Sequence, residues 1–237
     1  MKVLSVECSA VPCSVALTED DKILANAYSN IKLTHSETLM PMVEWVLKSA
    51  LCEIGEIDAF AVGVGPGSFT GIRIGISAVK GMAEARNLPC IPVSTLEAMA
   101  ENYSDTDCIV CAVMDARCKQ VYNALFENKN GNVLRLCEDR ALAIEDLVPE
   151  IAELSKKGKN VIIVGDGAEL FYPFIKELNG VKTADFQRRF QNAAGIAARA
   201  GKLLKLNKTV DSAELQPLYL RLPQAERELK RKEEKEK

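Results

Sequence analysis

The chain has 237 residues, 48% of them hydrophobic and 27% charged, which is typical of a folded protein that buries a sizeable core. The 30 basic and 33 acidic side chains give a formal net charge of −3, which excludes a protein that binds nucleic acid phosphates over its whole surface. Residues 2–6 are typical of a strand rather than of a signal peptide, and Pro66 and Arg73 interrupt the apolar stretch over 59–79. We therefore expect a cytoplasmic protein with no membrane contact.

The first half of the chain predicts a defined order of strands and helices. Apolar runs predict three strands, and a capping signal at Thr34 or Ser36 then begins a helix with apolar residues at helical spacing. In chain order the elements are strands over 3–6, 13–18 and 23–28, a helix from this cap to Ala50, a strand over 59–64, a helix over 70–86, a strand over 90–93 and a helix over 95–103.

The second half repeats this order with little residue identity. Glu7 and Asp115 stand at matching strand ends, and Gly67 and Gly167 stand in matching loops. In chain order the elements are strands over 109–113, 120–127 and 133–136, a helix over 144–157, a strand over 161–164 and helices over 168–178 and 191–206.

Three antiparallel strands, a helix, a parallel strand and a helix, occurring twice, predict an α/β protein with a duplicated ribonuclease H-like fold. This is the fold class of actin, Hsp70 and the sugar kinases, and it consists of two similar lobes. We predict an N-terminal lobe over 1–103 and a C-terminal lobe over 104–207. The segment over 208–237 is expected to pack back on the N-terminal lobe.

Proteins of this fold class place nucleotide phosphates between two strand-end turns, one in each lobe, with an acidic residue at each. The glycine-rich loop over 63–71 matches neither GxxxxGK[ST] nor GxGxxG, but its glycines allow close backbone approach and Thr70 can cap the next helix. Anion binding and a tight turn with close helix packing are both open interpretations. The candidate nucleotide or anion residues are Glu7, Ser9, Gly65, Gly67, Ser68, Thr70, Asp115, Arg117, Gly165 and Gly167.

The cysteines and the single histidine limit the metal chemistry that the sequence predicts. The eight cysteines lie mostly in apolar runs, which favours buried, reduced thiols over a disulfide framework. Cys108 and Cys111 have the spacing of a zinc knuckle, but the β-branched residues between them are typical of a strand. With only His35, an HExxH or His-x-x-x-His site cannot form within one chain, and we predict no metal site.

Two predicted helices in the first half, the one that ends at Ala50 and the one over 70–86, carry more apolar or small residues than one core face needs. The first has two adjacent apolar stripes, and the second contains glycines, which cost about 1 kcal/mol each relative to alanine unless another backbone approaches closely. Either both helices are simply well buried, or one stripe packs inside while the other meets a partner protein. The candidate interface residues are Leu39, Met40, Val43, Leu47, Gly71, Ile72, Gly75, Ala78, Val79 and Met82.

Several motifs together resemble one protein family over nearly the whole chain, from residue 3 to residue 221. They are His35-Ser36-Glu37-x-Leu39-Met40-Pro41, Gly63-x-Gly65-Pro66-Gly67-Ser68-Phe69-Thr70-Gly71-x-Arg73-x-Gly75, Ala78-x-Lys80-Gly81-x-Ala83, Asp115-Ala116-Arg117, Gly165-Asp166-Gly167-Ala168 and Pro217-x-Tyr219-Leu220-Arg221. On these residues the chain resembles the TsaB family, also called YeaZ. One departure is the first strand-end turn, which reads Glu7-Cys8-Ser9 where the family usually has Asp-Thr-Ser.

The resemblance implies a part in making threonylcarbamoyladenosine at position 37 of tRNAs that read codons beginning with A. In that family the protein is a non-catalytic partner that resembles the catalytic subunit TsaD and pairs with it through helices of the N-terminal lobe. An ATPase, TsaE, joins them, and the protein alone forms homodimers through the same helices. The resemblance therefore implies no catalytic residues and no tightly bound cofactor, with ATP or ADP bound only in the complex and tRNA reached only through it.

Two enzymatic alternatives follow from the fold class. An ATP-dependent phosphotransferase would turn Glu7 and Asp115 toward ATP and Mg²⁺, with residues 67–70 on the phosphates. A ribonuclease H-like nuclease needs three or four clustered carboxylates around two metals, and only these two are placed for it. Direct tRNA binding would depend on Arg188-Arg189 and on the mixed-charge tail over 226–237, and we predict that it is weak.

Overall fold

The structure, a computed structural model, describes residues 1–221 as two lobes, each built around one mixed β-sheet. The tail over 226–237 lies outside the described residues, within which no helix has the length and apolar character needed to cross a bilayer. The N-terminal lobe contains β1 (Lys2–Glu7), β2 (Cys13–Glu19), β3 (Lys22–Ser29), α1 (His35–Ser49), β4 (Ala59–Gly65), α2 (Phe69–Glu84), β5 (Cys90–Ser94) and α3 (Thr95–Glu101). The rest contains β6 (Cys108–Asp115), β7 (Gln120–Lys129), β8 (Asn132–Arg135), β9 (Arg140–Ala143), α4 (Ile144–Lys156), β10 (Val161–Val164), α5 (Ala168–Phe171), β11 (Val181–Thr183), α6 (Phe186–Arg189) and α7 (Ala193–Lys205).

The two sheets have the same strand order, which confirms the predicted duplication. The first sheet follows β3-β2-β1-β4-β5, and the second follows β8-β7-β6-β10-β11. In each sheet three antiparallel strands lead into two parallel ones, through the pairs β1–β4 and β6–β10. β9 adds one short antiparallel pairing to β7. This is the duplicated ribonuclease H-like fold.

The central strands are apolar along their length because helices cover both faces of each sheet. α1 and α2 cover one face of the first sheet, where they share a core with β1, β2 and β4. α4 and α5 cover the corresponding face of the second sheet. The other two faces turn toward each other, and α3 and α7 pack together between them.

α3 and α7 each pack across the predicted boundary between the lobes. α3 lies within 1–103, yet its Leu96 and Met99 pack against the second sheet. α7 lies within 104–207, yet its Ile196 and Leu203 pack against the first sheet. The apolar spacing of a helix predicts that it has a buried face, but it does not say which sheet that face covers.

Three local features differ from the sequence predictions. The helix predicted over 168–178 ends at Phe171 and continues as a single 3₁₀ turn, because Pro173 has no N–H to donate and fits a tight turn better than a helix interior. β9 and β11 were not predicted, since strands of four and three residues carry little pattern. α2 is capped by Ser68 rather than Thr70, and the Ser68 hydroxyl accepts the N–H of Gly71 at 3.3 Å.

The described part of the C-terminal segment packs mainly on the N-terminal lobe. Val210 pairs with Cys90 through an isolated β-bridge, and Leu215 lies in the core beneath α2. The N–H of Leu218 donates to the carbonyl of Val64 at 2.8 Å. The chain then reaches the second lobe, where the Arg221 guanidinium donates to the carbonyl of Ala116.

Candidate functional site

A cavity of about 910 Å³ opens between the two lobes, at the carboxyl ends of β1, β4 and β6. This is where the fold class predicts a ligand site, and six of the ten candidate cleft residues line it. The lining residues are Ser9, Gly67, Ser68, Thr70, Asp115 and Arg117. The residues that the structure places outside the lining are Glu7, Gly65, Gly165 and Gly167.

Glu7 turns into the protein instead of toward the cleft. Its side chain is buried, and Oε1 accepts the N–H of Ser9 at 2.6 Å. Its other carboxylate oxygen lies over Gly63, where an added Cβ would come within 2.5 Å of it. Burial raises the pKa of the Glu7 carboxyl, which favours its neutral form. The expectation that Glu7 faces a ligand was therefore wrong, because the neighbouring strand supplies a glycine that makes room for the longer acid.

The glycine-rich loop packs its backbone against the turn that follows β1. A Cβ at Gly67 would lie 2.2 Å from the carbonyl oxygen of Ser9, and one at Gly71 would lie 2.1 Å from that of Cys8. The N–H of Ser68 donates to the same Ser9 carbonyl at 2.6 Å. These approaches account for the glycines by packing, which is the second of the two interpretations. Anion binding at this loop stays a prediction.

The second lobe repeats this arrangement at the end of β10. Gly65 and Gly165 both have positive φ, +110° and +103°, and both contact backbone that a side chain would displace. A Cβ at Gly165 would lie 2.1 Å from the carbonyl oxygen of Val113, and Gly167 packs on Met114. Gly65, Gly165 and Gly167 therefore pack against the protein on the side of the loops that faces away from the cleft. This is why they do not line the cleft.

The acidic groups that reach the cleft both come from the second lobe. Asp115 is exposed and accepts the N–H of Arg117 at 2.7 Å through Oδ1. Asp166 also lines the cleft, where it accepts a hydrogen bond from Gln191 Nε2 at 2.7 Å. Burial raises the pKa of Asp166 to about 6. Asp166 was absent from the candidate cleft residues, although its place between Gly165 and Gly167 at a strand end was the signal for it.

Basic groups line the cleft from the first lobe. Lys32, His35 and Arg73 lie along this wall, and Arg73 also donates to the hydroxyl of Tyr219 at 2.6 Å. Within residues 1–221, no cluster of three or more His, Cys, Asp or Glu side chains is arranged to hold a metal ion. The cleft thus places three basic side chains of the first lobe opposite the two carboxylates of the second, where Arg117 also lines it. This distribution of charge can orient a small polar ligand.

The structure corrects most of the candidate interface residues. Four of them are side chains of the lobe's own core and are at most 3% exposed: Leu39, Val43, Ile72 and Val79. Gly71 and Gly75 are also buried, and they face the backbone or side chain of Cys8 rather than solvent. The small-residue face of α2 therefore packs on its own sheet. Met40 is exposed, and Leu47, Ala78 and Met82 are half-buried, so these four can still reach a partner.

Three exposed apolar residues near α1 were missing from the candidate interface. Trp45 is 54% exposed, Leu51 is 93% exposed and Ile54 is 40% exposed. We call these three residues and Met40 the α1 surface. The regular apolar spacing in α1 predicts its buried face, because such spacing is typical of a face that packs on the core. The signal for the outer side was the single tryptophan of the chain, which lies outside both stripes.

The densest basic pair is engaged in local ion pairs. Arg188 lies 3.0 Å from Asp105, and Arg189 lies 2.8 Å from Glu169. Arg188 also lies over the ring of Tyr103. This arrangement leaves little free positive charge at that site for binding phosphates. Weak binding of tRNA by the chain alone stays a prediction.

Comparison with known proteins gives the same family from sequence and from structure. The family model described as TsaD, tRNA N6-adenosine threonylcarbamoyltransferase, matches residues 22–230. The tRNA threonylcarbamoyladenosine biosynthesis protein TsaB of Bacillus subtilis is 30% identical, over 95% of this chain and 96% of its own length. The TsaB protein of Escherichia coli is 30% identical over 93% of this chain and 95% of its own. The solved structure of YeaZ from Pseudomonas aeruginosa superposes with a TM-score of 0.76 at 27% identity, over 92% of this chain and 99% of that one.

Proposed function

The chain belongs to the TsaB family of tRNA threonylcarbamoyladenosine biosynthesis proteins, and from this premise we propose that it is a non-catalytic partner subunit. Its partner is a TsaD-like threonylcarbamoyltransferase, with a TsaE-like ATPase as the third component. The complex modifies adenosine 37 of tRNAs that read codons beginning with A, and this chain reaches tRNA only through it. It acts in the cytoplasm, and any ATP or ADP in its cleft is bound in the complex.

The α1 surface carries this proposal. A tryptophan that is 54% exposed and a leucine that is 93% exposed lie on one helix and the turn after it. Exposed aromatic and large aliphatic side chains are typical of the centre of protein interfaces, where burial by a partner removes them from water. Fully burying one such side chain contributes roughly 1.5–3 kcal/mol. A partner that covers Trp45 and Leu51 thus gains part of the free energy that offsets the entropy lost on association.

The α1 surface rests on a rigid support. On the opposite side of the helix, Leu39, Val43 and Val46 are buried in the core of the N-terminal lobe. The helix begins with a capping box between Thr34 and Glu37. A surface held in this way loses little conformational freedom on binding, which favours affinity.

The position of Glu7 supports a non-catalytic role over the phosphotransferase alternative. Transfer of a phosphoryl group in this fold class would need the first strand-end acid to face the metal and the nucleotide. Glu7 instead lies under Gly63 with a raised pKa. Asp115 and Asp166 remain in the cleft, and both belong to the same lobe.

The test is the formation of a heterodimer with the TsaD protein of the same organism, followed by light scattering during size exclusion. We expect the wild-type chain to form a one-to-one complex and Trp45→Glu to weaken it by about thirtyfold or more. Phe186→Glu is the matched control, because Phe186 is 75% exposed on the other lobe and should bind normally.

Two results would count against the proposal. If wild-type chain and TsaD elute separately at micromolar concentration, the partner role is wrong. If Trp45→Glu and Phe186→Glu bind equally well while both remain folded, the pairing surface is not the α1 surface. In the absence of TsaD, the same reasoning predicts that Trp45→Glu converts a homodimer into a monomer.

A further inference from the structure

Cys8 and Cys13 face each other across the turn that forms one wall of the cleft. The ladder between β1 and β2 ends with the pair Glu7 and Ser14, so Cys8 and Cys13 occupy the next opposed position. Their sulfur atoms are 3.8 Å apart, and both side chains are buried. Directly opposed residues of antiparallel strands have Cα atoms about 4.5–5.5 Å apart. This lies within the roughly 4.4–6.8 Å that a disulfide spans, so rotation of the two side chains can close the bond.

The position of Cys8 is fixed by α2. The backbone of Gly71 lies against the carbonyl of Cys8, and Gly75 lies against its Cβ, where an added Cβ would be 3.5 Å away. Because Gly71 and Gly75 have no side chains, there is room for Cys8 beneath the helix. The pair is therefore held close by packing on both sides and does not depend on movement of a loop.

His35 gives the two sulfur atoms different character. Its ring packs between the cleft and Cys13, and Nε2 lies 2.8 Å from the carbonyl oxygen of Ala10. The hydrogen bond between the two cysteines and the nearby imidazole lower the pKa of Cys13, whereas the pKa of Cys8 is raised. Cys13 is thus the better nucleophile, because the thiolate is the reactive form. Cys8 retains its proton until a second step requires it.

The pair lies one layer below solvent. Ser9, Ala10 and His35 line the cleft, and they are neighbours of the two cysteines in the turn and at the start of α1. We expect a small, uncharged oxidant such as hydrogen peroxide to reach this depth more readily than a bulky reagent, because both side chains are buried behind these residues. We propose that Cys8 and Cys13 are a peroxide-sensitive dithiol that oxidises to an intramolecular disulfide at the cleft wall.

The chemistry needs one peroxide molecule for each disulfide. The Cys13 thiolate attacks one oxygen of hydrogen peroxide and the O–O bond breaks, so that Cys13 becomes a sulfenic acid and the departing hydroxide takes up a proton to form water. The Cys8 sulfur then attacks the Cys13 sulfur, the S–O bond breaks, and the second water leaves with the proton of Cys8. The two thiols lose two electrons and two protons in total, and the peroxide is reduced to two waters. A dithiol reductant reverses the change by thiol–disulfide exchange.

The test follows one tryptic peptide in the full-length protein. Cleavage after Lys2 and Lys22 releases a peptide that contains both Cys8 and Cys13, so the disulfide appears as a loss of two hydrogens from that peptide. We expect this loss after treatment with stoichiometric peroxide and its reversal by reductant. Cys108 and Cys111 are the internal control, since they are buried but lie on one strand, where burial raises the pKa of both. They should stay reduced.

Variants separate the dithiol from general thiol oxidation. Cys8→Ser should retain the first step, so that the tryptic peptide with Cys13 gains the mass of one oxygen, and Cys13→Ser should abolish both this gain and the disulfide. His35→Asn should slow peroxide consumption by roughly an order of magnitude, because the thiolate loses its neighbour. The proposal is overturned if exposed Cys118 alone is oxidised, or if Cys108 and Cys111 react as fast as the pair.

Discussion

α1 and α4 occupy equivalent places in the two lobes, each covering the outer face of its sheet, yet they present different surfaces to solvent. α1 buries Leu39, Val43 and Val46, and α4 buries Ile144, Leu147 and Ile151. On the outside, α1 exposes Met40 and Trp45, whereas α4 exposes charged side chains such as Glu145, Asp146 and Glu153. The duplicated fold is thus maintained by the inner faces of these helices. The outer faces are where the two helices differ.

The strand-end turns show the same division. Both glycine loops begin with a glycine of positive φ, +110° at Gly65 and +103° at Gly165, but the next residue is Pro66 in the first lobe and Asp166 in the second. The second glycines differ, since φ is +156° at Gly67 and −78° at Gly167. The acid at the end of β1 is buried, and the acid at the end of β6 is exposed. In both lobes the turn packs closely on neighbouring backbone. The carboxylates that line the cleft come from the second lobe, whereas most of its basic side chains come from the first.

Truncation of the inner faces should have the largest effect and should be equal in the two lobes. Leu39→Ala and Leu147→Ala each remove a side chain that is at most 1% exposed, so each should lower the free energy of unfolding by about 2–5 kcal/mol. Urea denaturation measures both. A Leu39→Ala variant as stable as the wild type would show that this residue is not part of the core and would return it to the partner surface.

Two glycines of α2 should respond in opposite ways to substitution by alanine, because one is tightly packed and the other is not. Gly71→Ala places a Cβ 2.1 Å from the Cys8 carbonyl, and the forced shift should cost about 1–3 kcal/mol. Gly81→Ala is the control on the same helix, since nothing lies within 4 Å of its added Cβ. It should stabilise the protein by roughly 0.5–1 kcal/mol through helix propensity. Thermal unfolding midpoints that move in the same direction for both variants would contradict this assignment.

Asp166, the acidic residue in the second glycine loop, should make the free energy of unfolding depend on pH. Burial raises the pKa of Asp166 to about 6, so the folded state binds its proton more tightly than the unfolded state does. The stability that this group contributes is present below about pH 4 and is lost as the pH rises through about 6. Asp166→Asn should not show this loss.

The effect of Asp166→Asn is best read as a difference from the wild type. Between about pH 4 and pH 7 the variant should gain on the order of 2 kcal/mol relative to the wild type. Denaturant titrations at several pH values measure the difference, and Asp115→Asn serves as the control on an exposed carboxylate. A constant difference over this range would show that Asp166 does not titrate as described.

Much of the fold could be predicted from sequence because its elements are long and strongly patterned. The repeated order of strands and helices gave the topology, and it placed Glu7 and Asp115 correctly at strand ends. The sequence could not predict which sheet α3 and α7 each pack against, since the apolar pattern of a helix between two sheets is compatible with both. The break after Phe171 was signalled by Pro173, but the length of the remaining helix was not.

The site was less predictable because side-chain direction depends on neighbours far along the chain. Glu7 is buried because the residue beside it on β4 is Gly63, and nothing in the first strand alone indicates this. Apolar residues at helical spacing indicated the apolar faces of α1, and the most regular of these faces is the buried one. The interface residues predicted from regular spacing are therefore mostly core residues. Trp45 lies off that pattern, and apart from its being the single tryptophan of the chain, it is identified by its exposure in the folded lobe.

The central claim is that the α1 surface, and not its counterpart on α4, binds the catalytic partner. Hydrogen–deuterium exchange of the full chain, with and without a TsaD protein, tests it directly. We expect peptides that cover α1 and the turn to Ile54 to exchange more slowly in the mixture, while peptides that cover α4 are unchanged. Slower exchange at α4 alone, or no change at α1 in a mixture that forms a complex, would contradict the account.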